Sequence, residues 1–142
     1  MDAPDPTPYR LEVVAGAADI DALDHVSNLV IVRWVQDVAA AHSTARGWDL
    51  PAYRQLGAAF MIRRHEIDYL GQLRLGDVVW VDTWVASWKQ ATSLRRTTLR
   101  RAADGRVVAE AATTWALVRV SDGRPVRIPD ELRAAFVTPT TT

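Results

Sequence analysis

Apolar residues recur along this chain in two rhythms, and the change from one to the other falls near Gly57. Between Ser27 and Gly47 they come as Leu29-Val30-Ile31-Val32, Trp34, Val35, Val38 and Ala39 to Ala41. The β-branched start could pass for a buried strand, but the run is too long for one and predicts a helix. Arg33, Gln36 and Asp37 mark its one polar side, so most of its girth is expected to be wrapped by other structure. Ser27 or Asn28 suits the cap, Arg46 the last turn and Gly47 the position just past the end. A short second helix is expected with Asp49 as cap, Pro51 in its first turn and Gly57 as its stop.

Beyond Gly57 the period shortens to two, the signature of strands. Ala59 to Leu70 reads as one strand, leading into a turn from Gly71 to Gly76. Val78 to Trp88 is the clearest. Alternation puts Trp80, Asp82, Trp84, Ala86 and Trp88 on one face and Val79, Val81, Thr83, Val85 and Ser87 on the other. Thr92 to Ala102 and Val107 to Val120 form a hairpin around Ala103-Asp104-Gly105-Arg106. A strand from Tyr9 to Ala15 precedes the first helix. Four consecutive strands with short connections are most simply antiparallel, and the helix must lie across one of their faces. The expected class is α+β.

Composition narrows what such a domain does. The 142 residues suffice for one core, expected over 9–136, between flexible tails at 1–8 and 137–142. Lys plus Arg and Asp plus Glu balance at 17 each, so no bulk charge draws the chain to nucleic acid or to a membrane. Without cysteine there is no thiol nucleophile and no disulfide scaffold. The 3 histidines lack zinc spacing, so no metal and no cofactor are expected. The first residues do not read as a secretory signal and no run is long enough to span a bilayer, which makes a cytoplasmic protein the expectation.

Ionisable residues crowd one place, Asp21-Ala22-Leu23-Asp24-His25-Val26-Ser27-Asn28, at the mouth of the long helix. Acidic residues there are ordinarily caps. A carboxylate beside free helix N–H groups can also activate water while those groups polarise a carbonyl, which is the chemistry of thioester hydrolysis. The stretch from Asp19 to Asn28 resembles the D-x-D-x-x-x-H-V-N-N signature of acyl-CoA thioesterases of the 4-hydroxybenzoyl-CoA thioesterase-like branch. It is also similar to the corresponding segment of acyl-ACP thioesterases. Ile67-Asp68-Tyr69-Leu70 through Gly76-Asp77 looks like the family's I-x-Y-L-x-x-x-x-x-G-D segment, and Asp122-Gly123 through Pro129 like its usual close of the last strand.

The resemblance implies the hotdog fold, in which a long antiparallel sheet wraps one central helix. It implies Asp21 as general base or nucleophile, His25 and Asn28 as its motif companions, and a homodimer or homotetramer acting on an acyl-CoA or an acyl-carrier-protein. Asp21 would then face strand residues 60–64 of a partner subunit. Ser27 and Leu23 depart from the pattern of active relatives, which keeps open a non-catalytic acyl- or CoA-binding protein on the same scaffold. A hydratase is disfavoured by the spacing from Asp21 to His25. Arginines form a second cluster, Arg95, Arg96, Arg100, Arg101 and Arg106 with Arg63 and Arg64 on an earlier strand, and alternation sets Arg96 and Arg100 on one face and Arg95 and Arg101 on the other. Arg63, Arg64, Arg96, Thr98 and Arg100 are the candidates for the phosphates of coenzyme A. A solvated charged strand is the plainer reading of that cluster, as core or subunit interface is of the tryptophan stripe.

Overall fold

The computed structural model describes residues 7–137. The expected tails at 1–8 and 137–142 therefore lie mostly outside the described residues. Strand β1 (Tyr9–Val14) leads through a single 3-10 turn to helix α1 (Asn28–Ala45) and the short helix α2 (Leu50–Leu56). Strands β2 (Ala58–Tyr69), β3 (Val78–Trp88), β4 (Thr92–Arg101) and β5 (Val107–Arg119) follow, then a last helix, α3 (Asp130–Ala135). The sequence pattern gave no warning of α3, which is only 6 residues long.

Local signals formed the helices where they were expected. Ser27 is the N-cap of α1, its Oγ accepting the Leu29 N–H, while Asn28 is the first residue inside the helix. Asp49 caps α2 through the Ala52 N–H, and Gly57 ends it at φ 78°, a conformation a side chain would strain.

All strand pairs are antiparallel, in the order β1-β3-β4-β5-β2. β2 and β3, consecutive in the chain, are not neighbours; β2 closes the far edge beside β5. Residues 70–77 connect them across the end of the sheet. There Leu73 is buried in the core and its carbonyl accepts the Val26 N–H at 2.8 Å, tying the connection to the loop before α1.

The core lies between α1 and the sheet. Val30, Ile31, Trp34, Val35 and Val38 pack against Val79, Val81, Leu99, Ala109 and Ala111. Only this side of α1 is buried within the chain; Leu29, Arg33, Gln36, Asp37 and Ala40 are exposed, Leu29 at 81 %. The wrapped helix read from its apolar girth is thus half-wrapped by its own sheet. A second cluster joins α3 to the sheet through Ala58, Leu117, Ile128, Leu132 and Phe136.

Bulges reset the alternation that the sequence implied. Between Val85 and Ser87 the register of β3 against β4 slips by one, and Trp88 comes opposite Ser93. Trp88 therefore leaves the face of Trp80 and Trp84 and packs on the helix side, its ring 6.1 Å from that of Phe136. A similar slip between Ile62 and Arg64 places His65 opposite Thr113, also on the helix side.

Candidate active site

The loop before α1 is shaped by its own backbone. Ile20 and Val26 form an antiparallel bridge, the Asp21 N–H donates to the His25 carbonyl at 2.8 Å, and the Asp24 N–H donates to the Asp21 carbonyl at 3.1 Å. So tight a return uses a left-handed residue, and Asp24 supplies it at φ 66°. Short polar side chains occupy that region at least cost.

The three acidic residues have different surroundings. Asp19 is engaged on both oxygens: Oδ2 accepts the Gly16 N–H at 2.9 Å and Oδ1 an Arg33 Nη2–H at 3.0 Å. Its own carbonyl accepts the Ser27 N–H, fixing the approach to the helix. Asp24 is an exposed turn residue. Asp21 is exposed as well, and its Oδ1 accepts the Leu23 N–H at 2.9 Å and, at 3.4 Å, that of His25. Those bonds orient the carboxylate and leave Oδ2 without a bond among the described residues. Asn28 sits in the first turn, where helix N–H groups have no carbonyl within the helix to meet them. Asp21, His25 and Asn28 thus lie together on one short loop and helix start, with Ser27 in the cap role and Asn28 just inside the helix.

The arginine candidates do not converge on that loop. Arg96, Thr98 and Arg100 share the face of β4 turned away from α1, opposite Trp84, Asp82 and Trp80 of β3. Arg100 donates to the Gly105 carbonyl at 3.2 Å. Arg63 and Arg64 lie at the bulge of the edge strand β2, both exposed, with Arg64 paired to Glu66 at 2.6 Å. No group of three or more metal-ligating side chains gathers among the described residues, nor is any described helix long and apolar enough to cross a membrane.

A cavity of about 440 Å³ opens between α1, α2 and the sheet, lined in part by Ala40, Tyr53, Phe60, Trp88, Arg95 and Trp115. Ala40 lies 12 residues beyond Asn28, which is about 18 Å along the helix axis. Within one chain the motif and the cavity are therefore separate.

Arg95 is the residue that sequence reasoning passed over. Its sequence neighbours are those of a charged strand, yet it points under α1 and is only 6 % exposed. Nη1 donates to His42 Nδ1 at 2.9 Å and to Thr83 Oγ1 at 3.2 Å, and the guanidinium lies 5.6 Å from the centre of the Phe136 ring. Burial pushes its pKa down to about 10, so it remains charged at neutral pH. Nearby, the Ser43 hydroxyl donates to the Trp48 carbonyl at 2.6 Å and lies 2.8 Å from the Tyr53 hydroxyl, whose pKa burial raises. Strand alternation did put Arg95 on the face opposite Arg96; that this face meets the helix was the missing fact.

Comparison with known proteins places the fold in a family. The model of the thioesterase-like superfamily matches residues 15–136. No curated protein sequence matches the chain. Among solved structures, a 1,4-dihydroxy-2-naphthoyl-CoA thioesterase from Synechocystis superimposes with a TM-score of 0.84 at 14% identity, covering 92% of this chain and 96% of that one. A Staphylococcus aureus protein solved in complex with CoA gives 0.87 at 18% identity, covering 100% and 92%. A Lactobacillus plantarum structure named for oleoyl thioesterase gives 0.87 at 18% identity over 92% of this chain, which spans 50% of that longer protein. The chain belongs to the thioesterase-like superfamily, and with it to the hotdog-fold thioester hydrolases.

Proposed function

We propose that this protein hydrolyses an acyl thioester carried by coenzyme A or a carrier protein, with Asp21 as the essential carboxylate. The observation that carries the reading is the exposed Asp21 side chain, oriented by the Leu23 N–H within the loop that delivers the chain into α1. A thioester is already electrophilic, so it requires only a held carbonyl and an activated attacking atom.

In the general-base route Asp21 takes a proton from water as the water oxygen bonds to the carbonyl carbon. The oxygen of that carbonyl gathers charge against N–H groups of the first turn of α1, near Asn28. The C–S bond then breaks, the sulfur leaves with a proton, and the acid is released. In the nucleophilic route the Asp21 oxygen attacks first, expels the thiol and forms an anhydride that water opens. Both routes need the carboxylate ionised and accessible. His25, in the same loop, orients the substrate or the water.

The assembly we propose is a homodimer joined along β2. That strand is 12 residues long and lies at an edge of the sheet, with Met61 56 % exposed. A long open edge of this kind is a template for a second copy. Pairing there would carry Asp21 towards residues 60–64 of the partner, and leave Arg63 and Arg64 as the arginines placed to meet phosphates of coenzyme A. Arg96, Thr98 and Arg100, on the far face, would act only on a substrate that reaches round the sheet.

The test is thiol release from a panel of short, long and aromatic acyl-CoAs, with Asp21→Asn run beside the wild type. Release that the variant abolishes is expected. Binding of a CoA ester without release by the wild type would leave the acyl-binding reading, which the departures at Leu23 and Ser27 favour.

A further inference from the structure

Arg95 is a buried cation for which the described residues provide no anion. Among the described residues no ion pair joins it to a carboxylate, and its two hydrogen bonds go to the His42 ring and the Thr83 hydroxyl, both leaving from Nη1. Its Nε and Nη2 have no hydrogen bond among the described residues, and the side chain forms part of the cavity wall. Taking a guanidinium out of water is costly unless a counter-charge meets it. The rest of that wall is mainly apolar and aromatic, including Phe60, Trp88 and Trp115, with Phe136 beside the guanidinium. Asp37, which also lines the cavity, is exposed on α1 and forms no ion pair with Arg95.

The guanidinium is also held in place. Thr83 Oγ1, which accepts from Arg95, itself donates to the Arg96 carbonyl at 2.9 Å, and the His42 ring is stacked on Tyr9 with centroids 5.1 Å apart. A fixed fork of donors at the wall of an apolar cavity of ligand size is the arrangement that selects a carboxylate within a larger apolar ligand.

We infer that this cavity, whose Phe60 lies in the β2 segment that the proposed pairing brings to the partner's Asp21, receives the acyl part of the substrate and that Arg95 binds a carboxylate carried on it, so that the preferred substrates are thioesters of dicarboxylic or carboxy-aryl acids. The inference rests on the thioester-hydrolase reading for the reaction but not for the anion site. Arg95 is here a specificity residue; it touches the far end of the acyl group and takes no part in breaking the C–S bond.

Two measurements test it. The first compares adipoyl-CoA with hexanoyl-CoA, equal in carbon number and different in terminal charge, for wild type, Arg95→Met and Arg95→Lys. The wild type is expected to favour adipoyl-CoA by about 100-fold in kcat/KM. Arg95→Met should erase that preference while keeping turnover of hexanoyl-CoA, and Arg95→Lys should retain part of it. A wild type that prefers hexanoyl-CoA, or an Arg95→Met protein that keeps the wild-type ratio, overturns the inference.

The second measurement is calorimetric titration of wild type with hexanoate and with hexan-1-ol, which needs no hydrolysis and no folded variant. Hexanoate is expected to bind and hexanol to bind at least about 10-fold more weakly. Equal binding of the two, or none, removes the anion site whatever the enzyme hydrolyses. Selective hexanoate binding without thiol release from any thioester would keep the anion site and remove the hydrolase reading.

Discussion

Asp21 Oδ1 lies 2.9 Å from the Leu23 nitrogen, so the carboxylate proposed to activate water is also the side chain that shapes its own loop. The two roles separate by substitution. Asparagine retains an oxygen for the Leu23 N–H but cannot take a proton. Asp21→Asn should lower kcat by about 100-fold or more while the melting temperature stays within a few degrees. Asp21→Ala should lose both turnover and part of the loop's order. Wild-type turnover in both variants would remove Asp21 from the chemistry.

Ser27 terminates α1 with a single side-chain bond, from the Leu29 N–H to Oγ at 3.2 Å. Ser27→Ala should cost about 1 kcal/mol, seen as a shift of the urea midpoint at unchanged slope. Ser27→Asp should recover most of it, since a carboxylate accepts the same bond and suits a helix N-terminus.

His65 sets an expected pH dependence. The bulge in β2 turns it inward, where Nδ1 lies 2.9 Å from Thr113 Oγ1, and desolvation holds its pKa below the ordinary value. The unfolded chain therefore binds a proton at a higher pH than the folded one does. Stability from this residue is present in full above the unfolded value near 6.5, and is lost as pH falls through the folded value. Thermal melts from pH 8 to pH 5 should show that decline in wild type and a smaller one in His65→Asn. Equal slopes in the two proteins would assign the decline to other groups.

Leu99 is fully buried in β4 beneath α1, at 0 % exposure. Leu99→Ala leaves a hole that the sheet closes only partly, so a loss of about 3 kcal/mol is expected in chemical denaturation. A loss below about 1 kcal/mol would show that the helix settles onto the sheet to fill the gap.

Dimerisation through β2 predicts a solution mass twice the 15.8 kDa of the chain, by light scattering. Met61→Lys combined with Arg64→Glu should shift the mass towards the monomer and lower turnover, because the partner's strand would complete the site. A monomeric wild type that is fully active would end that account.

Much of this architecture was legible along the chain because its causes are local. A cap at Ser27, a proline at position 51 and the left-handed Gly57 act on neighbours a few residues away, so both helices fell close to where their signals put them. The antiparallel strands and the hairpin around Asp104 and Gly105 were legible for the same reason. The acidic loop was legible as a constellation because Asp19, Asp21, His25 and Asn28 lie within one short segment, whatever the rest of the chain does.

What the tertiary structure alone decided depends on partners distant in sequence. The slip at Ala86 moves Trp88 to the other face of the sheet, and no alternation rule announces a bulge whose register is set by a neighbouring strand. The placement of β2 at the far edge rests on its pairing with β5 along nearly its whole length and not on chain order. Arg95 and Arg96 are adjacent and chemically identical in the sequence; one is buried beneath the helix and the other lies on the opposite face. Strand geometry separates such neighbours by half a turn, but only the packing of α1 determines which of them is taken out of water.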